Sequence, residues 1–108
     1  MFDLASRFPR PLLEELRQDF PNARVIFEAV DVTDAAAVRD AVTASQEQLG
    51  PITKLLCLAG VANHVHSADV SPEEFQRVMN INTDGSFFCA QAFARYLSPI
   101  QNLSMGPE

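Results

Sequence analysis

From Ser71 to Leu97 the apolar residues recur at helical spacing. Phe75, Val78, Met79, Cys89, Phe93, Tyr96 and Leu97 fall on one face together with Asn82 and Gly85. Ser71, Pro72 and Glu74 mark the start as an N-cap, a first-turn proline and a capping box. The spacing therefore predicts one long helix, with Asn82 as a polar amide on an otherwise apolar inner stripe. A buried amide needs hydrogen-bond partners. Gly85, one turn later, predicts close approach of another backbone or of a ligand.

Upstream the pattern changes period twice. Met1 to Pro11 mixes apolar residues with Pro9 and Pro11 and reads as an irregular lead. Leu12 to Phe20 reads as a short helix with Leu12, Leu13, Leu16 and Phe20 on one side, ended by Pro21 and Asn22. Arg24 to Val30 is rich in β-branched and aromatic residues and reads as a strand. Thr33 or Asp34 then caps a helix, Ala35 to Leu49, whose inward stripe is Val38, Ala41, Val42, Ser45 and Leu49. Gly50 and Pro51 stop it. Ile52 to Ala59 reads as a second strand, and its unbroken run Leu55 to Ala59 suits a strand covered on both faces. Ala62 to Val70 is a polar loop. Beyond Leu97 the periodicity is lost, and residues 98–108 read as an irregular tail.

Helix, strand, helix, strand, helix implies an α/β fold with parallel strands and right-handed crossovers. In such sheets ligands bind beyond the carboxyl ends of the strands. Asp31, Val32, Ala59 and Gly60 lie on that edge, and Asn82 on the following helix can reach it.

Composition narrows the reading. The chain has 108 residues, 47% of them hydrophobic, and a net charge of −6 at pH 7. This fits one domain with a core and argues against nucleic acid or an anionic membrane as partner. No apolar run is long enough for a membrane span, and Met1 to Arg10 has no secretory apolar region. Cys57 and Cys89 sit in apolar segments and read as buried reduced thiols of a cytoplasmic protein. His64 and His66 could be read as a metal pair, but no third ligand accompanies them, and a solvated loop is the simpler account. Phe75, Phe87, Phe88 and Phe93 fit core or interface better than a ligand box. Asp69, Glu73 and Glu74 complement a helix start.

Three motifs in order carry a resemblance: Asp31-Val32-Thr33-Asp34 after one strand, Ala59-Gly60-Val61 after the next, and Asn80-Ile81-Asn82-Thr83-x-Gly85-x-Phe87-Phe88 in the long helix. Over roughly Leu12 to Leu97 the chain resembles the short-chain dehydrogenase/reductase family. The resemblance implies a partial Rossmann-type, doubly wound sheet. It implies an oxidoreductase moving hydride between NAD or NADP and an alcohol, polyol or ketone. It also implies that Asp31 accepts from the adenine with Val32 beside it, that Ala59 and Gly60 lie against the ribose, and that Asn82 is the catalytic asparagine holding a water in a proton relay, on a locally kinked main chain. Leu58 stands where the family has an asparagine before Ala-Gly.

Two parts of the family machinery have no counterpart. The glycines are Gly50, Gly60, Gly85 and Gly106, too widely spaced for a phosphate-cradling loop. The single tyrosine, Tyr96, is followed four residues later by Ile100, so no Tyr-x-x-x-Lys pair exists. In the order 3-2-1-4-5-6 the two predicted strands are the third and fourth, which are not neighbours. The first, second and later strands are missing. The whole chain, 1–108, is thus expected to be a single truncated domain, inactive in this form, with Ile52–Ala59 bare on both edges unless it pairs with the other strand or a partner completes the sheet. A non-catalytic remnant or interaction module is the alternative. Its helices 35–49 and 71–97 would pair with a second copy or a full-length relative, as such helices commonly do in the family. A gene fragment is the third reading.

Overall fold

The structure is a computed structural model that describes residues 2–4 and 10–97. Its elements are β1 (Phe2–Asp3), α1 (Arg10–Asp19), β2 (Glu28–Ala29), α2 (Ala35–Leu49), a 3-10 turn (Ser67–Asp69), α3 (Pro72–Met79), a π turn (Asn80–Asp84) and α4 (Gly85–Leu97). The irregular tail expected at 98–108 lies outside the described residues.

β1 and β2 form a parallel pair, Phe2 opposite Glu28 and Asp3 opposite Ala29, extended by a bond from Val30 N–H to the Asp3 carbonyl at 2.8 Å. Phe2 and Asp3 are therefore strand where an irregular lead was expected. They occupy the place beside β2 that a doubly wound sheet gives to its second strand, with two strand residues there among the described ones. α1 starts two residues before the expected Leu12, because Pro11 sits in the first turn, where its missing N–H has no helical partner to lose. Of its predicted stripe Leu13 is buried and Leu16 half-buried, while Leu12 and Phe20 stay exposed.

α2 agrees closely with its pattern. Asp34 is the cap: its Oδ1 accepts from the N–H groups of Ala36 and Ala37, both at 3.0 Å. Gly50 ends the helix at φ +85°, where its N–H reaches the Gln46 carbonyl at 2.8 Å. Val38, Ala41, Val42 and Ser45 are buried as expected, with Gln46 added and Leu49 only half-buried. This face meets α4, and the core is Val30, Val38, Ala41, Val42, Cys89 and Ala92, flanked by Phe2, Val32, Ala37 and Phe88.

The segment 52–59 departs most from its pattern. It is extended but joins no strand, and no backbone hydrogen bond holds it among the described residues. Leu56 and Leu58 are 75% and 85% exposed. Of the predicted strand Arg24–Val30, the strand proper among the described residues is Glu28–Ala29, with Val30 N–H adding its bond to Asp3. A central strand needs a neighbour on each side, and β2 and Ile52–Ala59 do not pair with each other. Cys57, on this bare run, is exposed and not buried as expected; Cys89 is buried, and both thiols are free.

The predicted long helix is continuous but has three parts. Ser71 caps it, with its Oγ accepting from Glu74 N–H at 3.1 Å. The capping box is only half made, because the Glu74 carboxylate turns to Arg77, at 2.7 and 2.8 Å. The inner face is narrower than the periodicity suggested. Gly85, Cys89 and Ala92 are buried, whereas Phe75, Met79, Tyr96 and Leu97 are exposed, since among the described residues the sheet is only the short β1–β2 pair.

Candidate functional site

The site begins at the π turn. Within Asn80–Asp84 the helix takes one extra residue, and Gly85 N–H bonds to the Asn80 carbonyl five residues back. Such a turn re-aims the side chains it carries. It brings Asn82 to the loop after Ile52–Ala59. Asn82 Oδ1 accepts from Val61 N–H at 2.8 Å, and Asn82 Nδ2 donates to the Val61 carbonyl at 2.8 Å. The amide thus pairs with the Val61 backbone as a neighbouring strand would. Asn82 is exposed to solvent, not buried as the helical stripe predicted, yet both arms of its amide are engaged. Its own carbonyl accepts from Ser86 Oγ at 3.2 Å.

Gly60 is needed beside this pair. A Cβ there would lie 3.3 Å from Asn82 Oδ1, tighter than an ordinary contact. Ala59 and Gly60 are both exposed at this edge. Gly85 answers a different demand. A Cβ at 85 would lie 2.6 Å from Val32 Cγ2 and 3.1 Å from Val32 Cβ. The close approach expected at Gly85 is therefore made by a side chain, and it fixes the Asp31–Val32 edge to the helix that carries Asn82.

Asp31 sits at the end of β2 in an Asx-type turn. Its Oδ1 accepts from Thr33 N–H at 2.9 Å and from Thr33 Oγ1 at 2.7 Å. These bonds, the Thr33 hydroxyl foremost and its N–H second, hold the carboxyl below the usual carboxylate range, against a small opposing effect of burial. The residues chosen from sequence accordingly meet in two contacts, Val32 with Gly85 and Gly60–Val61 with Asn82. Asp31 contacts neither and is tied to its own turn.

Two participants were missed from sequence. From sequence Thr33 reads as a possible helix cap, although Asp-x-Thr at this spacing is also a turn signal. Val61 takes part only through its backbone, so its side chain carries no signal. His64 and His66 gather no third ligand, and no group able to hold a metal exists among the described residues. His66 Nδ1 instead accepts from Ala68 N–H at 3.3 Å and caps the 3-10 turn.

The arrangement can orient a main-chain edge, Gly60–Val61, and offer an acidic oxygen at a strand end. The residues present fit the adenosine part of a dinucleotide: Asp31 Oδ2 makes no hydrogen bond among the described residues, and Gly60 keeps the edge open beside Asn82. They do not fit the pyrophosphate, for which no glycine-rich loop exists.

This parallel α/β layout, with an asparagine on a helix kink beside the loop after residues 52–59, defines part of a Rossmann-type fold. Comparison with known proteins assigns it further. The short chain dehydrogenase pattern matches residues 4–103, and the chain belongs to that family. It is 28% identical over 85 residues to a 3alpha-hydroxysteroid dehydrogenase of Mediterraneibacter gnavus, covering 79% of this chain and 34% of that protein. It is 36% identical over 69 residues to gluconate 5-dehydrogenase of Gluconobacter oxydans, covering 64% and 27%. Among solved structures it superposes on a short chain oxidoreductase of Pseudomonas aeruginosa, described as containing an atypical catalytic center, at a TM-score of 0.78 and 27% identity, covering 89% and 36%. A gluconate 5-dehydrogenase of Burkholderia cenocepacia, solved with NADP and tartrate, gives 0.75 and 26%, covering 88% and 36%. The chain spans about a third of the length of these relatives. No helix among the described residues is long and apolar enough to cross a membrane.

Proposed function

We propose that these residues supply the adenosine edge and the asparagine of an oxidoreductase site that uses NAD or NADP and acts on an alcohol, polyol or ketone. The observation that carries this is the double hydrogen bond between Asn82 and Val61 on a π turn, beside Gly60. In this reading Asp31 accepts from the adenine amine through its free oxygen, Val32 packs beside the ring, and Ala59 and Gly60 lie against the ribose. The cofactor, when bound, supplies or takes the hydride. Asn82 cannot hold a relay water with both arms of its amide, because Val61 engages them. Its part is to fix the Gly60–Val61 edge, leaving the second lone pair of its Oδ1 for water. Proton transfer needs a tyrosine paired with a lysine, and these 108 residues contain no such pair.

The purified chain is therefore expected to give no turnover of NAD(P)H or NAD(P) in a screen of alcohols, polyols and ketones. Turnover that Asn82→Ala abolishes would contradict this.

A second reading is favoured by the exposed Phe75, Met79, Phe87, Tyr96 and Leu97 along α3 and α4. It makes the chain a non-catalytic module whose helices 35–49 and 71–97 pair with a second copy or a full-length relative. Size-exclusion chromatography with light scattering tests it: self-association or co-elution supports it, and a monomer that ignores both partners refutes it. A cytoplasmic location accords with both readings, and fractionation would check it.

A further inference from the structure

The two cysteines stand on different elements but meet at one group. Cys57 lies on the run 52–59, and its S–H donates to the Ser86 carbonyl of α4, with Sγ 4.0 Å away. Cys89 lies on that helix, three residues after Ser86. Helical side chains lean toward the amino end and cover the turn before their own Cα. The Cys89 thiol therefore covers the turn whose carbonyl Cys57 touches. Its titration agrees: burial foremost, and the neighbouring Cys57 second, push the Cys89 thiol up.

The two thiols differ in access. Cys57 is exposed, Cys89 is buried, and both are free. An oxidant can reach an exposed thiol, and a buried neighbour can then resolve the product. No group able to hold a metal gathers around them among the described residues, so the pair reads as a dithiol. Its position has a structural consequence. Cys57 shortly precedes Gly60–Val61, and Ser86 Oγ donates to the Asn82 carbonyl at 3.2 Å. A bond between Cys57 and Cys89 would join the run that leads to Gly60–Val61 to the helix that follows Asn82.

We propose that Cys57 and Cys89 are a redox-modification site that a small-molecule disulfide closes into an intramolecular bond. Cys57, as thiolate, attacks one sulfur of the small disulfide. That S–S bond breaks, and one half leaves as a thiolate that takes up a proton equivalent to the one Cys57 lost. Cys89 then gives up its proton and attacks Cys57 Sγ, expelling the other half, which leaves as a thiol. Two protein thiols lose two electrons and two protons, and the small disulfide gains them as two thiols. The proposal rests on these two thiols and not on the activity proposed above.

The test treats the whole 108-residue chain with oxidised glutathione under native conditions, then alkylates the remaining thiols. A monomer that has lost both thiols is expected. Its tryptic digest without reductant should hold Leu55–Arg77 joined to Val78–Arg95, and reductant should separate them. In Cys89→Ala the reaction should stop with glutathione on Cys57, and this adduct should be at least about tenfold scarcer in the unaltered chain, where Cys89 resolves it. In Cys57→Ser, a change at an exposed position, Cys89 should stay reduced because it is buried. Two unreacted thiols, a glutathione adduct that persists on Cys57 of the unaltered chain, or a dimer joined through Cys57 would each overturn the proposal.

Discussion

At Asp31 a short turn decides what the carboxylate can do. The Thr33 hydroxyl and N–H hold Oδ1 and lower the pKa, so the charged form is favoured in the folded chain. A carboxyl lowered on folding adds stability above its unfolded pKa of about 3.9 and loses it as pH falls through the folded value. Its contribution should therefore be constant from neutral pH to about 5 and fade below about 4. Thr33→Val is expected to move the Asp31 titration, followed by carboxyl-carbon NMR, back up toward the ordinary value; an unmoved titration would reject the turn as the cause. Gly85 makes a steric case. Alanine there gains about 1 kcal/mol of helix propensity, but its Cβ would stand 2.6 Å from Val32 Cγ2. Overpacking of that kind costs about 1–3 kcal/mol, and a β-branched side chain has little freedom to yield. Gly85→Ala should destabilise the chain, and Val32→Ala in the same chain should recover most of the loss in urea unfolding. Additive losses would show that the two residues do not meet.

At the scale of elements, caps and periodicity were readable where a helix depends on its own sequence. α2 is the example: Asp34 and Gly50 bound it, and four of its five predicted inward residues are buried. Asp34→Ala removes the partner of two N–H groups and should cost about 1–2 kcal/mol, with Asp34→Asn largely sparing it. Equal losses for both would point to charge instead of hydrogen bonding. What depends on neighbours was not readable. Ile52–Ala59 has the composition of a buried strand, but pairing is a property of what lies beside it. The same holds for Phe75 and Tyr96, apolar at helical spacing but left without a sheet to cover. The site divides in the same way. The nearness of Asn82 to Gly60 was legible through their motifs, whereas the turn that ties Asp31 to Thr33 was not. That Val61 would take both arms of the Asn82 amide was not, because a backbone partner leaves no trace in side-chain identity.

At the scale of the whole molecule, the contacts at Val32–Gly85 and Asn82–Val61 hold together the edge proposed for adenosine, while these 108 residues supply no glycine-rich cradle for a pyrophosphate. The consequence concerns affinity. In a complete dinucleotide site the phosphate loop adds backbone hydrogen bonds and a helix N-terminus to the adenosine contacts. Here the pyrophosphate should contribute nothing. NMR titration of the labelled chain with adenosine, NAD and NADP tests this most directly. All three are expected to bind equally weakly, with Kd on the order of 1 mM, and to shift the amides of Asp31, Val32, Gly60 and Val61. Binding of NAD or NADP more than about tenfold tighter than adenosine, or shifts that avoid these four amides, would contradict the account.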